Sequence, residues 1–221
     1  RLYHPADSSL WTRDEDELTE HMVSELDASI GFQECRDDSQ PAAAGFIKVA
    51  IEATLAASPL GALSAAAHAA AITGAAVQIH TEQGAAAEEV VTFFTERGVL
   101  PRQLLVCHID KRPDHGLHVA LAQAGVNLEY DTFFRPKYNP EQHLWPLIDH
   151  MVSAGHASAV ALATDLADAA QWESYGGGPG LAAFPTQIPA RLAARGVSPE
   201  NIALLTGGNI ARLLARPVPL P

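Results

Sequence analysis

Cysteine is nearly absent from this chain: Cys35 and Cys107 are the only two among 221 residues. Two cannot supply a disulfide framework or a cysteine metal cage, and they fit a reducing cytoplasm. Basic residues are also scarce, 14 Lys and Arg against 26 Asp and Glu, for a formal net charge of -12. A chain without a basic stripe is not built for nucleic acid or an anionic membrane. Long apolar segments are missing as well. The longest charge-free run, Ala53 to Thr81, is mostly alanine and contains Pro59, Gly61, His68 and Gly74. It reads as a buried helix followed by a strand, not as a membrane span. No signal peptide is visible, and the first residue is Arg1, not methionine. The expectation is that an N-terminal part is missing.

What is present suffices for one domain over residues 1–221, since 48% of the chain is hydrophobic. Residues 1–14 read as a loop, and Thr12 to Asp16 offers capping chemistry for a helix to about Leu26. Gly31 to Ala44 is a polar connection. From there a rhythm sets in. Strands at 45–50, 75–81, 104–109, 126–131 and 159–164 alternate with helices at 64–73, 85–97, 114–124 and 140–154. Gly74, Gly98, Gly125 and Gly155 stop those helices. The loop Gly176 to Gly180 leads to two more helices, near 181–195 and 199–215. Strand, helix and glycine repeating at about 25 to 30 residues imply parallel βα units. The fold class is therefore α/β, as an open doubly wound sheet or a (β/α)8 barrel of the TIM type.

Polar residues favour the barrel. Lys48, His80, His108, Asp131 and Asp165 each fall at or near the C-terminal end of a strand. A barrel gathers strand ends around one axis, whereas an open sheet spreads them along an edge. Neutral imidazoles and carboxylates gathered there form a ligand set for a first-row metal. Singly, each has a plainer reading: a histidine in an apolar strand is usually a hydrogen-bonded core residue, and a strand-end aspartate usually caps a turn. Lys48 poses the sharpest question. Alternation puts Phe46 and Lys48 on one face of their strand and Ile47 and Val49 on the other. A lysine between core residues must snorkel, pair or lose its charge. Burial lowers an amine's pKa, and a neutral amine can serve as nucleophile, base or site of carbon dioxide addition. His4, His21, His68, His115, His118, His143, His150 and His156 fall on predicted loops or helices, where a solvated face is expected for most.

The segments GFIKVA, VQIHTEQG, VCHIDK and ALATDL, in that order, resemble the phosphotriesterase-related branch of the amidohydrolase superfamily, nearest its phosphosugar-lactonase-like members. The resemblance extends through YGGGPG to the closing GGNIARLL. It implies a distorted (β/α)8 barrel carrying two divalent metal ions, zinc foremost. Lys48 would be carbamylated and bridge both metals, His80 and His108 would bind one, and Asp165 the other. Asp165 would also be catalytic, shuttling the proton of a metal-bridging hydroxide. That nucleophile exists near neutral pH because the metals lower the pKa of bound water. The family ends its first strand with His-x-His, and this chain contains no such pair. Its five strands match the fourth through eighth of the barrel. Five strands cannot close a barrel, and open edges invite aggregation. A barrel domain lacking about its first three strands is the expectation.

The segment Glu129 to Tyr138 follows the family's seventh strand. Asp131-Thr132 stands where some relatives place arginine or histidine, so neither of those roles carries over. Arg135, Lys137 and Tyr138 form a compact anion-binding set, a forked donor, a point charge and a phenol, and Lys111 can join them. The set is similar to that of relatives hydrolysing phosphorylated sugar lactones; a solvated basic loop is the competing reading. Gly176 to Gly180 would let backbone approach the ligand, or is a plain flexible loop. Trp145 and Trp172 are expected to pack, Trp172 also as a pocket wall. Three functions follow: a lactonase, a phosphotriesterase preferring an apolar pocket, or an inactive remnant serving as an interaction module. The partner is a small lactone or ester, with a homodimer left open.

Overall fold

The computed structural model describes residues 3–27 and 43–215. Most of the polar connection expected at Gly31 to Ala44, including Cys35, lies outside the described residues. Helix α1 spans Glu15–Asp27. Strand β1 (Phe46–Ala50), helix α2 (Leu60–Thr73), strand β2 (Ala76–His80) and helix α3 (Ala87–Thr95) follow. Next come β3 (Leu104–Cys107), α4 (His115–Gln123), β4 (Asn127–Tyr130), α5 (Leu144–Ser153), β5 (Val160–Leu162) and α6 (Ala183–Ala194). The strands form one sheet in the order β1-β2-β3-β4-β5, and β1–β2 and β4–β5 pair in parallel. Sequential order with helical crossovers is what consecutive right-handed βα units produce. The chain divides into two compact units, Arg1–Leu105 with Leu213–Pro221, and Val106–Arg212.

In the first unit, Asp14 starts α1 by accepting from the N–H groups of Asp16 and Glu17 at 2.9 and 3.2 Å. Leu18 of α1 packs on Ala62 and Ala65 of α2, with Leu10 at the margin. Five alanines of α2 between positions 65 and 70 are wholly buried. Gly74 caps α2 at φ 71°, its N–H bonded to Ala70 O at 2.9 Å. Gln103 Nε2 then donates to the carbonyls of Ala70 and Ala75, at 3.0 and 2.9 Å, fixing the turn into β2. Strand β1 alternates as expected: Ile47 and Val49 are buried, Phe46 and Lys48 exposed. Lys48 is therefore not held between core residues within this chain; the face it shares with Phe46 is the open one.

In the second unit, β4 and β5 are buried along their whole length. Trp145 of α5 packs, as expected, edge-on against Phe133 at 5.1 Å and under the guanidinium of Arg191 at 4.2 Å. Arg191 of α6 pairs with Glu141, and Arg195, just past the end of that helix, pairs with Asp149. The helix expected at 199–215 is broken: α7 (Pro199–Ala203) passes through a wide turn, Leu204–Gly208, into α8 (Asn209–Leu214). Gly207 and Gly208 lower helix propensity at that point. Asn209 Nδ2 then reaches the carbonyls of Ala157 and Val160, at 2.8 and 2.6 Å. Among the described residues, no helix is long and apolar enough to cross a membrane.

Candidate metal and anion site

Lys48 and His80 belong to the first unit. The parallel register pairs Lys48 with Gln78 and Ala50 with His80, which is the last residue of β2. The Tyr3 ring meets His80 edge-on at 4.3 Å, and the Tyr3 hydroxyl donates to Glu82. Beside them, Glu52 is 2% exposed. Its Oε1 accepts from Tyr3 N–H at 3.1 Å and His4 N–H at 2.9 Å, and lies 3.1 Å from His4 Nδ1. His4 is therefore buried, against the expectation of a solvated face for most of the loop and helix histidines.

The other candidates belong to the second unit. His108 follows β3, Asp131 follows β4 and Asp165 lies three residues beyond β5. His108 and Asp165 adopt left-handed backbone, at φ 63° and 42°. Such conformations cost on the order of 1–3 kcal/mol outside glycine and persist where tertiary structure imposes them. His108 Nδ1 lies 2.5 Å from Asp131 Oδ2 and 3.9 Å from Asp165 Oδ2. Asp131 Oδ1 is buried without a hydrogen-bond partner. His108, Glu129 and Asp131 are all buried and place ligand-type atoms within 4.8 Å of one another. Glu129 escaped the sequence reading; a carboxylate between Leu128 and Tyr130 was the available sign.

Asp110 was missed as well. Its Oδ2 accepts from the N–H groups of Asp131 and Thr132, at 3.1 and 2.9 Å, and from the Thr132 hydroxyl at 2.6 Å. Burial first, and the Asp131 charge second, push its pKa up to about 7 despite those bonds. Burial raises Asp131 too, opposed by its bond to His108. A histidine whose Nδ1 is fixed by a carboxylate presents Nε2 to a metal. Nitrogen and oxygen donors with an orphaned carboxylate oxygen thus fit a zinc-like cation.

Two of the expected anion-binding residues, Arg135 and Lys111, lie against Asp165. Arg135 Nη2 lies 2.8 Å from Asp165 Oδ2 and Lys111 Nζ lies 3.8 Å from it. The ammonium groups of Lys111 and Lys137 stand 5.3 and 4.9 Å from the Tyr138 ring centroid. Trp172 Nε1 donates to Leu166 O at 3.0 Å. The glycine loop serves its own packing: a Cβ at Gly177 would lie 2.0 Å from Ala170 O, and Gly180 holds φ 72° against Glu173. His118 is another buried exception, 0% exposed, bonded to Tyr130 and to the Arg112 carbonyl.

Comparison with known proteins bears on family and fold. The phosphotriesterase family model matches residues 3–214. A phospho-furanose lactonase of Mycoplasmopsis synoviae (strain 53) is 30% identical over 162 residues, covering 71% of this chain and 46% of that protein. The crystal structure of an amidohydrolase from Mycoplasma synoviae superposes with TM-score 0.85 at 26% identity, over 97% of this chain and 64% of that one. A lactonase from Listeria monocytogenes superposes with TM-score 0.82 at 24% identity, over 94% and 63%, which establishes the fold. The chain spans about half the length, or less, of the curated relatives it matches.

Proposed function

This chain belongs to the phosphotriesterase family, and from that premise we propose that it forms part of a metal-dependent hydrolase, a lactonase acting on a phosphorylated sugar lactone. The observation that carries this reading is the cation cluster of Arg135 and Lys111 on Asp165, next to His108. A 30% identical relative named for a phosphorylated furanose lactone supports it. His108 Nε2 would hold one metal and Asp165 the other, with Asp131 fixing the His108 ring. Lys48, in carbamylated form, and His80 are carried as further ligands by the motif match. When bound, two divalent ions, zinc foremost, supply ionised water near neutral pH and polarise the substrate carbonyl. Asp165 would accept the proton that the attacking hydroxide still carries. Arg135, Lys111, Lys137 and Tyr138 hold the phosphate, and that binding energy orients the lactone ring for attack.

A second reading, a phosphotriesterase for neutral esters, draws on a groove of about 600 Å³ in the second unit, lined by Phe133, Phe134, Pro136, Pro140 and Pro179 among others. Turnover of a phosphosugar lactone and of a neutral organophosphate by the zinc-loaded chain separates the two. The lactone reading expects at least about a 100-fold preference in kcat/KM for the charged substrate, reduced mainly through KM in Arg135→Met. A preference for the neutral ester overturns it. Zinc uptake without turnover of either substrate would instead make the chain a non-catalytic interaction module.

A further inference from the structure

Asp165 is held by the same cations that would hold a phosphate. Arg135 Nη2 bonds its Oδ2 at 2.8 Å and also donates to its backbone carbonyl. Lys111 Nζ stands 3.8 Å from that Oδ2. Both cationic side chains are largely covered, 16% and 8% exposed. The fork is nonetheless incompletely used: Arg135 Nε is buried without an acceptor. One carboxylate thus occupies two cations while one of their donors is left unpaired.

We propose that Arg135 and Lys111 form a displaceable clamp on Asp165, released when a divalent cation takes over the carboxylate, so that metal binding and anion binding strengthen each other. This rests on the reading of Asp165 as a metal ligand. A covered guanidinium cannot be left without an anion, because breaking a buried pair strands the remaining charge. Arg135 therefore has two alternative partners, the Asp165 carboxylate or an incoming phosphate. A phosphate offers the fork several acceptors, including one for Nε. It must, however, enter beside the Asp165 charge unless another cation neutralises that charge. Both ligands then bias one two-state element, and the coupling is reciprocal: whatever factor metal adds to anion affinity, the anion adds to metal affinity.

The test is calorimetry on the full chain, with inorganic phosphate titrated into chelator-treated protein and zinc titrated with and without phosphate. Metal-free Asp165→Asn is expected to bind phosphate at least about tenfold more tightly than metal-free wild type. That gain should vanish when Arg135→Met is added. In wild type, phosphate should raise zinc affinity, and Arg135→Met should reduce that coupling to near unity. If the gain survives in the double variant, removal of a negative charge explains it and the clamp is overturned. If the zinc–phosphate coupling survives Arg135→Met, phosphate is contacting the metal directly, which also overturns it. Zinc binding to wild type with no phosphate gain in Asp165→Asn overturns the clamp while leaving the metal reading intact. A gain in Asp165→Asn with no zinc binding to wild type overturns the metal reading and, with it, the release step.

Discussion

The two units handle buried carboxylates in opposite ways. In the first, Glu52 gathers two backbone N–H donors and the His4 ring onto one oxygen. In the second, Asp110, Glu129 and Asp131 are buried together, and Asp110 Oδ1 and Asp131 Oδ1 have no partner. A buried carboxylate that satisfies its neighbours stabilises the fold; a crowded set with orphaned oxygens costs stability unless a cation joins it. The first arrangement anchors a chain segment. The second leaves two of its carboxylate oxygens, one on Asp110 and one on Asp131, without a hydrogen-bond partner.

The largest effect expected from this contrast is in the first unit. Glu52→Ala would leave the Tyr3 and His4 N–H groups and a buried imidazole without their acceptor. At about 1–3 kcal/mol per stranded group, partly relieved by water, the loss should be about 3 kcal/mol. Urea unfolding at neutral pH measures it. A loss under about 1 kcal/mol would mean that Glu52 does not anchor this segment, and the contrast between the units would fail.

Asp131→Asn should do the reverse. Relief of repulsion with Asp110 offsets the weakened bond to His108, so metal-free stability should change by less than about 1 kcal/mol. Zinc affinity, measured by competition with a chromogenic chelator, should fall about 10- to 100-fold, the usual effect of losing a group that orients a metal-bound histidine. A stability loss matching that of Glu52→Ala, with zinc affinity unchanged, would make Asp131 another structural carboxylate.

The same contrast explains what the sequence could tell. Regular backbone was legible. The alternation of Ile47 and Val49 against Phe46 and Lys48 follows from the pleat alone. Gly74, Gly98, Gly125 and Gly155, read as helix stops, all have positive φ. Family motifs could name His108 and Asp165, but the left-handed backbone there is imposed by tertiary structure on residues that do not demand it. Non-local contacts were equally hidden. That Asp110 folds back on Thr132, or that Arg135 reaches Asp165 across 30 positions, is written in no local pattern. Lys48 shows the limit of the pleat: alternation puts it on the exposed face with Phe46, but does not say which of snorkelling, pairing or loss of charge follows there.

The smallest effect expected is a pH dependence from His118, and it sharpens the contrast because this buried polar group is satisfied without a cation. The Arg112 carbonyl can only accept, so His118 Nε2 carries the proton and donates across 2.8 Å; Nδ1 then accepts from the Tyr130 hydroxyl at 2.6 Å. Burial lowers the His118 pKa, outweighing the nearby groups that raise it. Above pH of about 7, folded and unfolded chains both hold the ring neutral, and it adds no slope. As pH falls below about 6.5, the unfolded chain gains a proton that the folded chain refuses, so stability must fall with pH. The decline ends at the lowered folded value. His118→Gln removes this contribution while the remaining histidines titrate alike in both proteins. The wild-type minus variant difference in urea-derived stability should therefore shrink from pH 7.5 to 5.5, by at most about 1.4 kcal/mol, the ceiling reached when the folded ring stays neutral throughout. A difference independent of pH would mean that the folded chain accepts the proton as readily as the unfolded one, and that the bonds to Tyr130 and Arg112 do not hold the ring neutral.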